Sequence, residues 1–282
     1  MAVQPENARG KVDGETELAQ EMWYAYLTGD ESRLPTKVRV ARQVMSRLPS
    51  DPHCKVCSAP FGGIGRFLVA LMGFGTGRSG FTPHLCGRCE QIVKRHQVGA
   101  EVQLTVLFAD VRGSTPLAEA IGSIAYHRLI NRFYKASTEI LVESDALVDK
   151  LVGDEIIGLY LPGIAGPEYV QKAIDAAQAL LRATGHADPN DPWISVGAGV
   201  HAGTAYVGAV GSSEGVSDIT VLGDTPNTGA RLASQAGQGE VLVSEDACHL
   251  AGMPMENGKV RTLALKGRSA SLRVRVIQVA SA

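Results

Sequence analysis

Apolar side chains occupy every second position from Val102 through Leu104 and Val106 to Phe108, in a run rich in β-branched and aromatic types. This pattern predicts a strand that delivers Asp110 to its end. The period changes after Arg112-Gly113-Ser114-Thr115. Thr115 and Pro116 read as N-cap and first helical residue, and Leu117, Ile121, Leu129, Ile130, Phe133, Tyr134, Ile140 and Leu141 follow with a break at Gly122. Residues 147–161 predict a hairpin turning at Gly153-Asp154, so a second acid stands 44 residues after the first at another strand tip. A helix from Pro167 carries Val170, Ile174, Ala177, Leu180 and Leu181 to a stop at Gly185.

A second hairpin is expected over residues 195–211, where Gly197, Gly199 and Gly203 mark close backbone approach. Then come a strand at 219–222, a helix at about 226–236, and strands at 240–243, 260–265 and 272–279. The order β-α-β-β-α-β with additions predicts an α+β fold of the ferredoxin-like, split βαβ plan. Upstream lie two helical patterns, one at 15–27 with Leu18, Met22, Trp23 and Tyr26 on one side, the other at 38–48, stopped by Pro49 and Pro52. Both are expected to pack against the rest of the protein or a dimer mate.

Composition narrows the function classes. With 45% hydrophobic and 20% charged residues the chain predicts a packed core. A net charge of −2 and a pI near 6.4 argue against a broad nucleic-acid footprint. The longest apolar run near the N-terminal half, 67–72, is too short for a membrane span, and residues 1–30 show no signal-peptide pattern, so a cytoplasmic protein is expected. Four of the five cysteines form two C-x-x-C pairs, Cys54/Cys57 and Cys86/Cys89, across a glycine-rich segment. That spacing points to a tetrahedral four-thiolate site for one structural Zn²⁺, with an iron or iron–sulfur centre as the alternative. The chain thus divides into a helical region (1–50), a zinc-ribbon-like segment (51–97) and an α+β domain (98–282).

Two strand-end carboxylates, Asp110 and Asp154, beside a glycine-containing turn and a helix start, suit a metal-bound polyphosphate. In order and spacing, F-A-D-V-R-G-S-T around Asp110, K-L-V-G-D ending at Asp154, G-V-H-A-G at 199–203, D-I-T-V-L-G-D-T-P-N-T-G-A-R-L-A-S at 218–234 and L-K-G-R at 265–268 resemble the catalytic domain of class III nucleotidyl cyclases. The resemblance covers about residues 100–280. It implies that Asp110, Asp154 and the backbone of Val111 bind two Mg²⁺ or Mn²⁺. It further implies that Gly113, Ser114, Thr115 and Lys266 contact phosphates, that Asn227 and Arg231 orient the ribose and meet charge at the α-phosphate, and that Lys150 and Thr220 read the base.

Hydrogen-bond polarity bears on the base. A lysine only donates, which suits adenine N1, and a threonine hydroxyl can accept from the N6 amine, whereas guanine N1 would want a carboxylate at Lys150. The set is similar to that of class IIIb adenylate cyclases, which implies conversion of ATP to 3′,5′-cyclic AMP and pyrophosphate. The resemblance also implies a homodimer with two composite sites, each taking Asp110 and Asp154 from one subunit and Lys150, Thr220, Asn227, Arg231 and Lys266 from the other. One position departs: many relatives carry an arginine where this chain has Gly197, and Arg112 is the candidate substitute. Two other readings compete, a non-catalytic nucleotide-binding signalling module and a zinc-ribbon nucleic-acid-binding protein.

Overall fold

The computed structural model describes residues 14–49, 52–71, 77–79, 84–188, 192–211, 217–264 and 271–279. Four helices precede the sheet: α1 (Gly14–Thr28), α2 (Thr36–Ser46), α3 (Gly63–Leu71) and α4 (Gly87–His96). α1 docks as its pattern requires. It buries Trp23, Tyr26 and Leu27, and the Trp23 indole N–H donates to the Val207 carbonyl at 3.0 Å. α2 buries none of its residues and meets the rest of the chain mainly through Arg42, which pairs with Glu31 at 2.9 Å and donates to the Val56 carbonyl. α3 arises within the glycine-rich stretch and α4 just after it, where no element was expected.

Next come β1 (Gly99–Val111), α5 (Ser114–Ile121), α6 (Ser123–Glu143), the hairpin β2 (Leu147–Val152) and β3 (Glu155–Tyr160), then α7 (Pro162–Ala165) and α8 (Tyr169–Leu181). β4 (Val196–Gly211), β5 (Ser217–Leu222), α9 (Asp224–Gln235), β6 (Glu240–Ser244), α10 (Glu245–Leu250), β7 (Lys259–Leu263) and β8 (Leu272–Gln278) complete the chain. The sheet order is β2-β3-β1-β4-β6-β8-β7, with β5 pairing the far half of β4. β1 runs antiparallel to both β3 and β4, so the first four strands follow the expected split βαβ plan.

The alternation along β1 sorts its side chains onto two faces. Val102, Leu104, Val106 and Phe108 join a cluster with Trp23, Tyr26 and three of the cysteines, whereas Leu107, Ala109 and Val111 join α6 and α8 residues such as Phe133 and Ile174. Residues expected as a second hairpin form one strand instead. β1 pairs with β4 from Gly99 opposite Gly208 to Val111 opposite Val196 without a break, and none of Gly197, Gly199 and Gly203 takes a positive φ. Their missing side chains make room for α9: a Cβ on Gly203 would sit 2.6 Å from Thr225 Oγ1.

Candidate active site

Two turns bring acids to one end of the sheet. Asp110 lies opposite Glu155 on β3 and Gly197 on β4, and the Val111 N–H donates to the Asp154 carbonyl at 3.2 Å. Gly153, at φ 63°, supplies the left-handed residue of the β2–β3 turn, and the Tyr134 hydroxyl donates to its carbonyl at 2.6 Å. Three carboxylates therefore crowd together. Burial raises Asp110 above the ordinary carboxylate range, Arg112 opposing and Asp154 adding to the rise. Burial, then the charges of Asp110 and Asp154, push Glu155 up to about 7. Sequence reasoning passed over Glu155, although its place after Asp154 in a hairpin facing β1 was the available signal.

Arg112 forms an ion pair with the Asp110 carboxylate, donates from Nη1 to the Ser234 carbonyl at 2.9 Å, and is anchored by its own N–H to the Ser195 carbonyl at 2.8 Å. A cation thus stands beside Asp110 across from Gly197. A Cβ on Gly197 would meet the Ala236 carbonyl oxygen at 2.8 Å, so an arginine there would displace the backbone that leaves α9. The helix start also differs from expectation. Gly113, at φ 65°, occupies the cap position without a side-chain cap, and α5 begins at Ser114, a residue before the expected Thr115 cap. The Leu117 N–H reaches the Gly113 carbonyl at 3.0 Å, which closes the first turn.

α9 buries Thr225, Pro226, Thr228, Gly229, Leu232 and Ala233, which leaves Asn227 exposed and Arg231 half-buried four residues further on. Thr220 is buried in β5, and its hydroxyl donates to Asp149 Oδ2 at 3.3 Å, next to Lys150 in β2. Asp149 was not anticipated. Thr220 lies opposite Gly208, eleven positions along β4 from the Gly197 that faces Asp110. Ser234, which contacts Arg112, is seven residues past Asn227, about 10 Å along the helix axis. Within one chain, then, the acids and the Asn227–Thr220 group are set apart. Lys266 lies outside the described residues.

The four cysteines converge as their spacing predicts: the Sγ atoms of Cys54, Cys57, Cys86 and Cys89 all lie within 4.8 Å of one another. Cys57 and Cys86 are 3.8 Å apart, the edge of a tetrahedron whose centre is about 2.3 Å from each sulfur. The Cys86 N–H donates to Cys54 Sγ at 3.3 Å and the Cys89 N–H to Cys86 Sγ at 3.4 Å. Hydrogen bonds among the thiols hold Cys54 and Cys86 low and drive Cys57 and Cys89 up, as four sulfurs sharing protons must. The buried Tyr26 hydroxyl beside them has no hydrogen-bond partner among the described residues, an arrangement suited to a metal-bound thiolate acceptor. This segment touches the turn before β2: His84 Nε2 bonds the Ala146 carbonyl at 2.9 Å and Lys55 Nζ lies 3.8 Å from Asp145.

The Adenylate and Guanylate cyclase catalytic domain family matches residues 97–277. An Anabaena cylindrica adenylate cyclase is 32% identical over 149 residues, and an uncharacterized Mycobacterium tuberculosis protein is 30% identical over 162. These stretches cover 50% and 56% of this chain and 29% of each relative, so the chain spans under a third of their length. Among solved structures, the adenylyl cyclase CyaB from P. aeruginosa superposes with a TM-score of 0.54 at 25% identity, over 64% of this chain and 96% of that one. The guanylyl cyclase Cya2, at 21% identity and a TM-score of 0.58 over 63% of this chain and 92% of that one, shares the fold. By sequence and architecture together, this chain belongs to the class III adenylate and guanylate cyclase catalytic domain family.

Proposed function

We propose that the protein is an adenylate cyclase that closes ATP to 3′,5′-cyclic AMP with release of pyrophosphate, at two composite sites of a homodimer. The observation that carries this reading is the division of the site residues within one chain, with three carboxylates at one end of β1 and Thr220 and Asn227 presented elsewhere. A two-fold partner supplies to each acid cluster the groups its own chain holds apart.

The donor set fits divalent cations, because burial and then the neighbouring carboxylate charges raise Asp110 and Glu155, and a bound cation relieves that crowding. Asp110, Asp154 and the Val111 carbonyl would hold two Mg²⁺ or Mn²⁺, which when bound acidify the ribose 3′-hydroxyl and neutralise the triphosphate. Arg231 meets the charge that grows at the α-phosphate, and Asn227 fixes the ribose. The Ser114 and Thr115 amides, at an uncapped helix start, face phosphate oxygens, and Lys266 contacts the outer phosphates. Thr220, turned to Asp149 in the free chain, rotates its hydroxyl to accept from adenine N6, while Lys150 donates to N1. The four thiolates would hold one Zn²⁺ that staples residues 54–89. Purified protein assayed with ATP and GTP under Mg²⁺ and Mn²⁺, with its mass in solution, tests the reading. Cyclic AMP from a dimer is expected, whereas nucleotide binding without turnover at high enzyme concentration would leave a non-catalytic module.

A further inference from the structure

Between residues 33 and 96 the chain carries eleven Lys and Arg against two Asp and Glu, although its net charge overall is −2. One of those acids, Glu90, is buried and bound to Lys94 at 2.8 Å. The same region presents an apolar face. On α3, Ile64, Phe67, Leu68 and Leu71 recur at helical spacing as one stripe and are 70%, 65%, 40% and 71% exposed. The opposite side fixes the helix. Gly65 and Val69 are buried, and a Cβ on Gly65 would meet the Pro49 carbonyl at 2.9 Å and Leu48 at 3.2 Å, so α3 is seated just past the end of α2. α2 and its C-terminal cap add exposed Lys37, Val40, Val44 and Arg47, and no acid.

We propose that this face docks on an anionic lipid bilayer surface, with the α3 stripe in the headgroup–acyl boundary and the α2 cations on the acidic headgroups. A nine-residue helix is about 13 Å long, so it lies in the plane of the interface and does not cross it. Charge selects this occupant. A second copy would set one cationic excess against another, and a nucleic acid would leave Ile64, Leu68 and Leu71 in water, since aliphatic side chains give bases no stacking platform. Each Lys or Arg at an acidic membrane surface strengthens partitioning on the order of fivefold.

Co-sedimentation of the full chain with phosphatidylcholine vesicles, with and without phosphatidylglycerol, tests the proposal through binding alone, independent of cyclase activity. Partition into the anionic vesicles is expected to exceed that into neutral ones by about tenfold or more, and to collapse when salt shortens the Debye length to about 3 Å. The paired change Phe67→Glu with Leu71→Glu, on residues that are 65% and 71% exposed, should abolish binding and leave vesicle-free ATP turnover unchanged. Lys37→Glu with Arg47→Glu should weaken binding on the order of tenfold or more. Failure to bind anionic vesicles, or unchanged binding by the Phe67/Leu71 pair, overturns the proposal. So does a lower solution mass in that variant, which assigns the face to a second copy, or loss of RNA binding in it, which assigns the face to nucleic acid.

Discussion

β1 buries every residue from Leu104 to Ala109, whereas α2, of similar length, buries none. The two regions are held by different means. The sheet has helices on both faces and needs nothing but its own apolar side chains. Residues 33–96 contribute few: Val56, Leu85 and Val93 join the core around three of the cysteines, and an apolar cavity of about 300 Å³ lies between Met22 of α1, Val38, Ala41 and Met45 of α2, and Cys57. A region with so little core of its own would take its order from a metal held by the four thiols, as proposed, and from whatever its exposed faces meet. Chemistry is expected where the scaffold is rigid, and response to surroundings where it is not.

Changes in the sheet region should therefore strike turnover and spare the fold. Asp110→Ala and Asn227→Ala each remove a partly or fully exposed side chain, and each should lower cyclic AMP formation on the order of a hundredfold or more with little shift in melting temperature. Mixing the two inactive proteins should restore turnover, since a heterodimer keeps one intact composite site. No recovery would mean that each chain builds its site alone. Next in size, Lys150→Glu with Thr220→Ser should lower ATP kcat/KM on the order of a hundredfold and admit GTP. An unchanged preference for ATP would place base reading elsewhere.

In the cysteine region the effect should fall first on stability. Cys54→Ser is expected to lower bound zinc from about one per chain to near zero and to cost at least ~3 kcal/mol, at about 2–4 °C of melting temperature per kcal/mol. Turnover should fall too, because His84 and Lys55 brace the turn from which β2 carries Lys150. A metal-free variant with normal melting and normal activity would show that the four sulfurs staple nothing.

What the sequence disclosed follows the same divide. β1, the β2–β3 hairpin and α9 were legible because a single periodicity sorts their residues, and Asp110, Asp154, Asn227 and Arg231 stand at their ends or outer sides. The long β4 was read as a hairpin because its glycines mimic a turn locally, whereas the ladder with β1, a non-local pairing, decides its shape. Glu155 and Asp149 were hidden for a related reason: neither matters until the hairpin register sets it against Asp110 or Thr220. The basic character of residues 33–96 was averaged away in a whole-chain charge of −2. α3 is obscured in the sequence because Gly63 and Gly65 disfavour a helix locally and only its seating on Leu48 and Pro49 offsets that cost.

The smallest effect concerns acid, which loosens both regions and so needs a variant to separate them. Acidification would protonate the four thiolates and release the metal proposed there. In the sheet region His186, buried at 2% exposure, accepts the Val196 N–H on Nε2 at 3.2 Å at the start of β4. That bond requires an unprotonated nitrogen, and burial holds the imidazole below the ordinary histidine range. The unfolded chain takes up this proton near pH ~6.5 and the folded chain only at lower pH. The stability His186 contributes is therefore complete above about pH 6.5 and is lost as pH falls through its lowered folded value. His186→Gln keeps an acceptor without a titrating nitrogen. Between about pH 7.5 and 5.5 its melting temperature should start below that of the parent and fall less steeply, the gap closing by a few degrees at most. Of the slope that remains, the part due to the cysteines should diminish further in Cys54→Ser, while Glu155, raised to about 7, contributes with the opposite sign because its protonated form is favoured in the folded chain. Parallel curves for parent and His186→Gln would mean that His186 bears no part of the acid response.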